Sequence, residues 1–258
     1  KPGVDDVRNS SGLAIVELLK QKKIKYVTYD PLCKKLSTEH SLNEALKKSD
    51  VVFISTAHDE FVRNITKINL KKYNIQWLGQ ASISVAKDEE MLKLMSETRC
   101  LGLLIGMESL SEDTLAECGK RINKPAEYER AVARLHRYGI GVKATFMLGF
   151  DNDDPSVFPK MARFIRRSSF DSVYFSILTP YPGTRFYQKL EEEGRLLHSD
   201  WQKYDTAHVV FRPEKMTVQQ LEEGFVWLYK KTLSLGSIVL RLARARTNPQ
   251  FFLPDNLA

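Results

Sequence analysis

Two groups of residues in this sequence have the types and spacing that chemistry requires. The first is Lys1-Pro-Gly-Val-Asp5-Asp6-Val-Arg8-Asn-Ser-Ser11, which sets two carboxylates, an arginine and small hydroxyls just before an amphipathic run. A helix starting there presents free amides and a partial positive charge, and Arg8 adds a bidentate donor, so the chemistry is phosphate binding. The same residues also describe a well-capped helix in which Asp5 or Asp6 pairs with Arg8. The second group is four apolar runs: Gln76-Trp-Leu-Gly-Gln80-Ala-Ser82, Leu103-Leu-Ile-Gly-Met-Glu108-Ser109, Lys143-Ala-Thr-Phe-Met-Leu-Gly149-Phe150 and Phe175-Ser-Ile-Leu-Thr-Pro-Tyr-Pro-Gly-Thr184. Each reads as a strand whose C-terminal end carries a polar side chain or a glycine, and in parallel α/β barrels that rim holds ligands. Gln80, Glu108 and Gly149 are then expected to face one mouth, with Gly149 letting a ring approach the backbone. Taken singly, each is equally a strand-end residue meeting its own loop, and Glu108 could instead pair with a lysine such as Lys143.

Thiol and imidazole chemistry is less well supplied. Cys33, Cys100 and Cys118 are far apart in sequence, and His40, His58, His136, His198 and His208 make no close metal-ligand pattern. No catalytic residue and no metal ligand is assigned, and Cys33, in a loop after Asp30-Pro31, reads as a plain thiol.

The elements that must position these residues follow from periodicity. Leu13, Ile15, Val16, Leu18 and Leu19 recur at helical spacing; Lys25–Asp30 reads as a short strand closed by Pro31; Ser41 with Glu44 is a capping-box pattern. Strands are expected at 50–55, 76–80, 101–106, 142–148 and 172–178, with helices at 89–97, 111–118, 126–137, 155–167 and 186–193. One helix between successive strands is the rhythm of βα units and a parallel sheet. After Gly194 the rhythm breaks into a polar stretch, a lone strand at His208–Phe211 and one long helix from Thr217 to about Leu235, with Leu221, Phe225, Leu228 and Leu235 as its apolar stripe.

The composition sets outer limits. In 258 residues, 43% are hydrophobic and 28% charged, enough for a buried core, and no apolar run has the length of a membrane span. Three cysteines are too few for a disulfide framework, so a cytoplasmic setting is expected. The net charge of +7 is spread over lysine pairs such as Lys22-Lys23 and Lys71-Lys72, which read as solvated helix ends, so neither nucleic acid nor membrane is an expected partner. The sequence sets no expectation for the oligomeric state.

Residues 1–74 resemble the C-terminal domain of the UDP-glucose/GDP-mannose dehydrogenase family. The signs are the order Lys-Pro-x-x-Asp-Asp-x-Arg-x-Ser, then Tyr29-Asp30-Pro31 and Ser55-Thr-Ala-His58-Asp-Glu-Phe61. The resemblance implies that Lys1 faces a sugar nucleotide and Arg8 the phosphates of NAD. The family's Gly-rich loop is not found. From residue 75 to about 240 the chain resembles the radical S-adenosylmethionine superfamily, of the kind that often follows a cobalamin-binding domain. The strand ends carry this resemblance, along with Trp201-x-x-Tyr204-Asp205, His208-Val-Val-Phe-Arg-Pro213 and Met216-Thr217 through Gly224. It implies a partial TIM-type barrel, with Glu108 at the ribose of S-adenosylmethionine, Gly149 at the adenine side and Gln80 nearby. It also implies a [4Fe-4S] cluster, but the C-x₃-C-x₂-C loop that would hold one does not occur.

The expectation is therefore an α/β protein built on a parallel sheet of repeated βα units. A Rossmann-like piece (1–74) is joined to a partial TIM-type barrel (75–194) and a mainly helical C-terminal extension (195–258). A start on Lys1, with Lys1-Pro2-Gly3 reading like a strand exit, suggests a piece of something longer. The expected function is that of a radical S-adenosylmethionine family fragment not catalytic alone, with small-molecule nucleotide ligands. The alternatives are a UDP-sugar dehydrogenase fragment that binds NAD, or a non-catalytic folded module.

Overall fold

The computed structural model describes residues 11–49, 51–53, 76–244, 247, 249 and 251. Lys1, Arg8, His58 and the junction at Asn74-Ile75 lie outside the described residues. The chain divides into two compact units, Lys1–Gly79 with Glu90–Gly102, and Gln80–Glu89 with Leu103–Ala258.

In the first unit the apolar periodicity gives α1 (Ser11–Gln21), and Ser41 caps α2 (Leu42–Lys47) by accepting a hydrogen bond from the Glu44 amide. Residues 25–30, expected as a strand, form none. The Thr28 amide donates to Thr38 Oγ1 at 2.8 Å, and Thr28 O accepts from the amides of Thr38 and Glu39. A threonine-rich loop therefore takes the bonds a ladder would need. β1 (Val51–Phe53) runs parallel to β2 (Gln76–Ala81), with Val51 opposite Gln76 and Phe53 opposite Leu78. Trp77 is buried beside α3 (Glu89–Glu97), and its indole donates to Thr98 Oγ1 at 3.2 Å.

In the second unit β3 (Cys100–Glu108), β4 (Gly141–Leu148) and β5 (Ser172–Ile177) follow one another in chain order across the sheet. β4 and β5 are parallel and in register from Lys143 opposite Ser172 to Leu148 opposite Ile177. The connections are helical: α4 (Glu112–Glu117), α5 (Tyr128–Arg137) and α6 (Val157–Arg167). Leu103, Ile105 and Met107 alternate with less buried residues on β3, as do Val142, Ala144, Phe146 and Leu148 on β4. Val132, Leu135, Phe158, Met161 and Ile165 cover them from the helices, which is the arrangement of a sheet buried under crossover helices. The fold class is thus α/β with a parallel sheet, as the periodicity predicts.

The C-terminal part is mainly helical. Thr184 caps α7 (Arg185–Glu192), and a single antiparallel bridge joins Leu196 to Phe211 where a lone strand was expected. Thr217 and Gln220 form a complete capping box at the start of α8 (Val218–Thr232). The expected single helix ends there, and α9 (Leu235–Arg244) starts anew after Leu233-Ser234. Leu235 consequently leaves the apolar stripe and is 83% exposed, while Leu221 and Leu228 are fully buried. α8 lies so close to α6 that a Cβ at Gly224 would stand 2.2 Å from the Phe158 ring. The Tyr229 hydroxyl accepts from the Phe175 amide at 3.1 Å and donates to the Phe175 carbonyl at 2.8 Å, tying α8 to β5.

Candidate functional site

All three expected rim residues that are described belong to the second unit. Gln80 is exposed, near the end of β2. Glu108 is the last residue of β3, and its side chain is only 12% exposed. Gly149 follows β4 directly, so in a sheet of adjacent β3 and β4 both residues sit where strands end.

The backbone at Glu108 is unusual. Its φ is +67°, and the Ser109 amide donates to the Met107 carbonyl at 2.9 Å, two residues back. An i to i+2 bond around a positive φ is a classic γ-turn, a rare and strained conformation that costs on the order of 1–3 kcal/mol outside glycine. The surroundings hold it. Asn123, only 3% exposed, donates from Nδ2 to the carbonyls of Gly106 (2.9 Å) and Met107 (3.1 Å). The fully buried Tyr128 donates its hydroxyl to Met107 O at 2.7 Å. Burial, and secondarily the Glu108 charge, hold the Tyr128 phenol above its ordinary pKa, so it stays a donor.

The turn sends the carboxylate back over its own strand. A Cβ at Gly106 would stand 2.3 Å from Glu108 Oε1, so glycine at 106 makes the space the side chain uses. Lys120 Nζ lies 3.2 Å from Oε1, so Glu108 does pair with a lysine, as the alternative reading has it, and that lysine is Lys120 rather than Lys143. The result is an acceptor pair held at a strand end, able to receive bonds from hydroxyl groups.

At Gly149 φ is +94°, and a Cβ there would meet Leu221 Cδ2 at 2.8 Å and Phe211 Cζ at 3.4 Å. On that side it is the chain's own apolar groups that approach the backbone. The amides of Gly149 and Phe150 both donate to Asp153 Oδ2, at 3.0 and 3.1 Å. Burial pushes the Asp153 carboxyl up to about 6, against the opposing effect of those two amides. Lys120, Asn123, Tyr128 and Asp153 thus belong to this rim although periodicity gave no signal for them, because side chains of loops and of the first turn of α5 reach it from outside the strands.

The residues present do not fit an iron–sulfur cluster. Cys33 lies in a loop of the first unit. Cys100 is buried in β3, where desolvation pushes its thiol up to about 12. Cys118 is exposed at the end of α4, its pKa raised chiefly by partial burial. Among the described residues no three His, Cys, Asp or Glu side chains gather into a metal site. His136 pairs with Asp171 at 2.8 Å and His208 with Asp205 at 2.9 Å, which gives both rings structural partners. No helix of the described residues is long and apolar enough to cross a membrane.

Comparison with known proteins divides the chain at nearly the same point as the residue patterns. Residues 1–76 match the family model of the UDP-glucose/GDP-mannose dehydrogenase family, UDP binding domain. A UDP-N-acetyl-D-mannosamine dehydrogenase of Pyrococcus horikoshii is 38% identical over 61 residues, 24% of this chain and 14% of that protein. A bacteriochlorophyllide d C-12(1)-methyltransferase of Chlorobaculum tepidum is 31% identical over 184 residues, 71% of this chain. The chain spans 40% of that relative's length. Among solved structures, a radical S-adenosylmethionine methyltransferase from Kitasatospora setae aligns over 54% of this chain and 28% of its own, with 18% identity and a TM-score of 0.43. The chain is therefore similar to two different kinds of enzyme in two successive segments.

Proposed function

We propose that the second unit is a methyltransferase-like module that recognises S-adenosylmethionine through Glu108 and does not by itself carry out radical chemistry. The observation that carries this reading is the Glu108 turn, in a segment 31% identical to a methyltransferase. A strained residue fixed by two buried donors holds a carboxylate at a strand end, where two vicinal ribose hydroxyls could donate to it. Without a thiolate triplet there is no open iron to hold the methionine end of the ligand, so binding is weak. On this reading residues 75–194 form the partial barrel, 195–258 are its extension, and Gln80 lies beside the bound nucleoside, while Leu221 and Phe211 fill the space at Gly149.

Calorimetry with S-adenosylmethionine on the whole chain tests the reading. Weak binding that falls about tenfold in Glu108→Gln is expected, from loss of a charge-assisted acceptor. Equal binding by both proteins, or by neither, overturns it.

A second reading applies to residues 1–74 and rests on their match to a UDP-binding domain. There Lys1 and Arg8 would serve a UDP-sugar and the phosphates of NAD. Titration with UDP-glucose and with NAD, on the chain and on Arg8→Ala, tests it; unchanged affinity for both ligands dismisses it.

A further inference from the structure

The second unit contains a cavity of about 370 Å³ between α6, α8 and the start of α9, made of residues that the reading above does not use. Four cations line it, Arg163 and Arg166 on α6, Lys231 on α8 and Arg241 on α9, together with Trp227, and its lining includes no Asp or Glu. Arg163 and Arg166 stand one turn apart, a spacing at which like charges repel. Among the described residues no carboxylate pairs with Arg163 or Lys231. Arg241 is only 8% exposed, and one of its amino groups donates to the Thr232 carbonyl at 2.7 Å, which fixes the guanidinium in the wall. The hydroxyls of Ser234 and Ser237 donate to the Lys231 carbonyl at 3.1 and 3.0 Å, closing the turn from α8 into α9. Gly236, in the first turn of α9, has nothing within 4 Å of where a Cβ would be, so the backbone there can be reached.

We propose that this cavity binds a small organic diphosphate, its phosphates among Arg163, Lys231 and Arg241 and its flat body against Trp227. Arg163 and Lys231 face the same cavity with no carboxylate in its lining, and a bound polyanion offsets the repulsion between them. Guanidinium groups match phosphate oxygens in pairs, and the open backbone at Gly236 adds the favourable end of a helix dipole, the Ser237 amide being taken by Ser234 Oγ. The volume falls in the range of small-molecule sites, and the half-exposed indole of Trp227 offers a face to a ring. The site goes beyond the proposed S-adenosylmethionine reading and shares no residue with it.

Calorimetry on the full chain with ADP, adenosine and inorganic pyrophosphate is the test. One ADP per chain is expected, with adenosine and pyrophosphate both weaker and ADP affinity falling as salt rises. Arg163→Gln and Lys231→Gln, both at exposed side chains that leave folding intact, should each weaken ADP about tenfold. Trp227→Leu should abolish the advantage of ADP over pyrophosphate, and Glu108→Gln should leave all three affinities unchanged. Absence of ADP binding at millimolar concentration overturns the proposal. So does ADP binding that both charge variants leave intact, which would locate it elsewhere, or ADP binding no tighter than pyrophosphate.

Discussion

The carboxylate of Glu108 and the missing side chain of Gly106 are two halves of one arrangement. Because the atom that a Cβ at 106 would strike is the far end of a flexible side chain, Gly106→Ala should shift stability by less than about 1 kcal/mol. It should nonetheless drive the carboxylate away from Lys120 and lower S-adenosylmethionine affinity as much as Glu108→Gln does; melting curves and calorimetry read the two effects separately. Asp153 makes a different prediction. Its pKa is raised by burial to about 6, so the neutral form is favoured by the fold relative to the unfolded chain. Its contribution is therefore fully present below the ordinary carboxylate range near 4 and is lost as pH rises through about 6. Urea denaturation from pH 4 to 7 should show wild type losing up to about 3 kcal/mol that Asp153→Asn does not lose. Parallel slopes would remove Asp153 as the cause.

At the scale of elements, the approach of α8 to α6 decides more than helix propensity does. Replacing glycine by alanine inside a helix ordinarily gains about 1 kcal/mol. Gly224→Ala should instead lose about 1–3 kcal/mol, because the new methyl overlaps the buried Phe158 ring. Chemical denaturation of this variant, and of Gly224→Ala with Phe158→Leu, should show the second change restoring part of the loss. The helices and strands were largely legible in the sequence: the span 89–97 coincides with α3 of the first unit, and β4 of the second differs from its expected range by one residue. Apolar periodicity survives wherever an element packs on one face. The break between α8 and α9 was hidden because Leu233 and Leu235 continue the apolar count, although α8 closes at Leu233 and Ser234 between them receives the Ser237 amide at the start of α9. The Glu108 turn was hidden for a stronger reason. Glutamate has no preference for positive φ, and its conformation is imposed by Asn123 and Tyr128, fifteen and twenty residues further on in the chain. Sequence pattern placed Glu108 at a strand end, and its ion pair with a lysine from the following loop, Lys120, lay beyond what periodicity could show.

For the whole molecule, two segments akin to different enzymes follow one another, and the thiol inventory constrains what the second can do. Anaerobic reconstitution with iron and sulfide should leave the chain without cluster absorbance and with far fewer than four irons per chain, since Cys33, Cys100 and Cys118 lie too far apart in sequence to share one cluster-binding loop. Four irons with the visible spectrum of a cluster would refute this.

The bond pair between Tyr229 and Phe175 has a consequence for how the protein behaves at high concentration. β5 is the outermost strand of its unit's described sheet, and an outermost strand offers unpaired amides and carbonyls to any neighbouring chain. The phenol occupies the amide and the carbonyl at the middle of β5, and the Thr206 carbonyl takes the Ile177 amide at 2.7 Å. The Tyr229 hydroxyl and the Thr206 carbonyl therefore take backbone groups of β5 that a strand added by another molecule would need. Tyr229→Phe should stay folded yet scatter more light and bind more thioflavin on prolonged storage than wild type, as molecules begin to add to one another along β5.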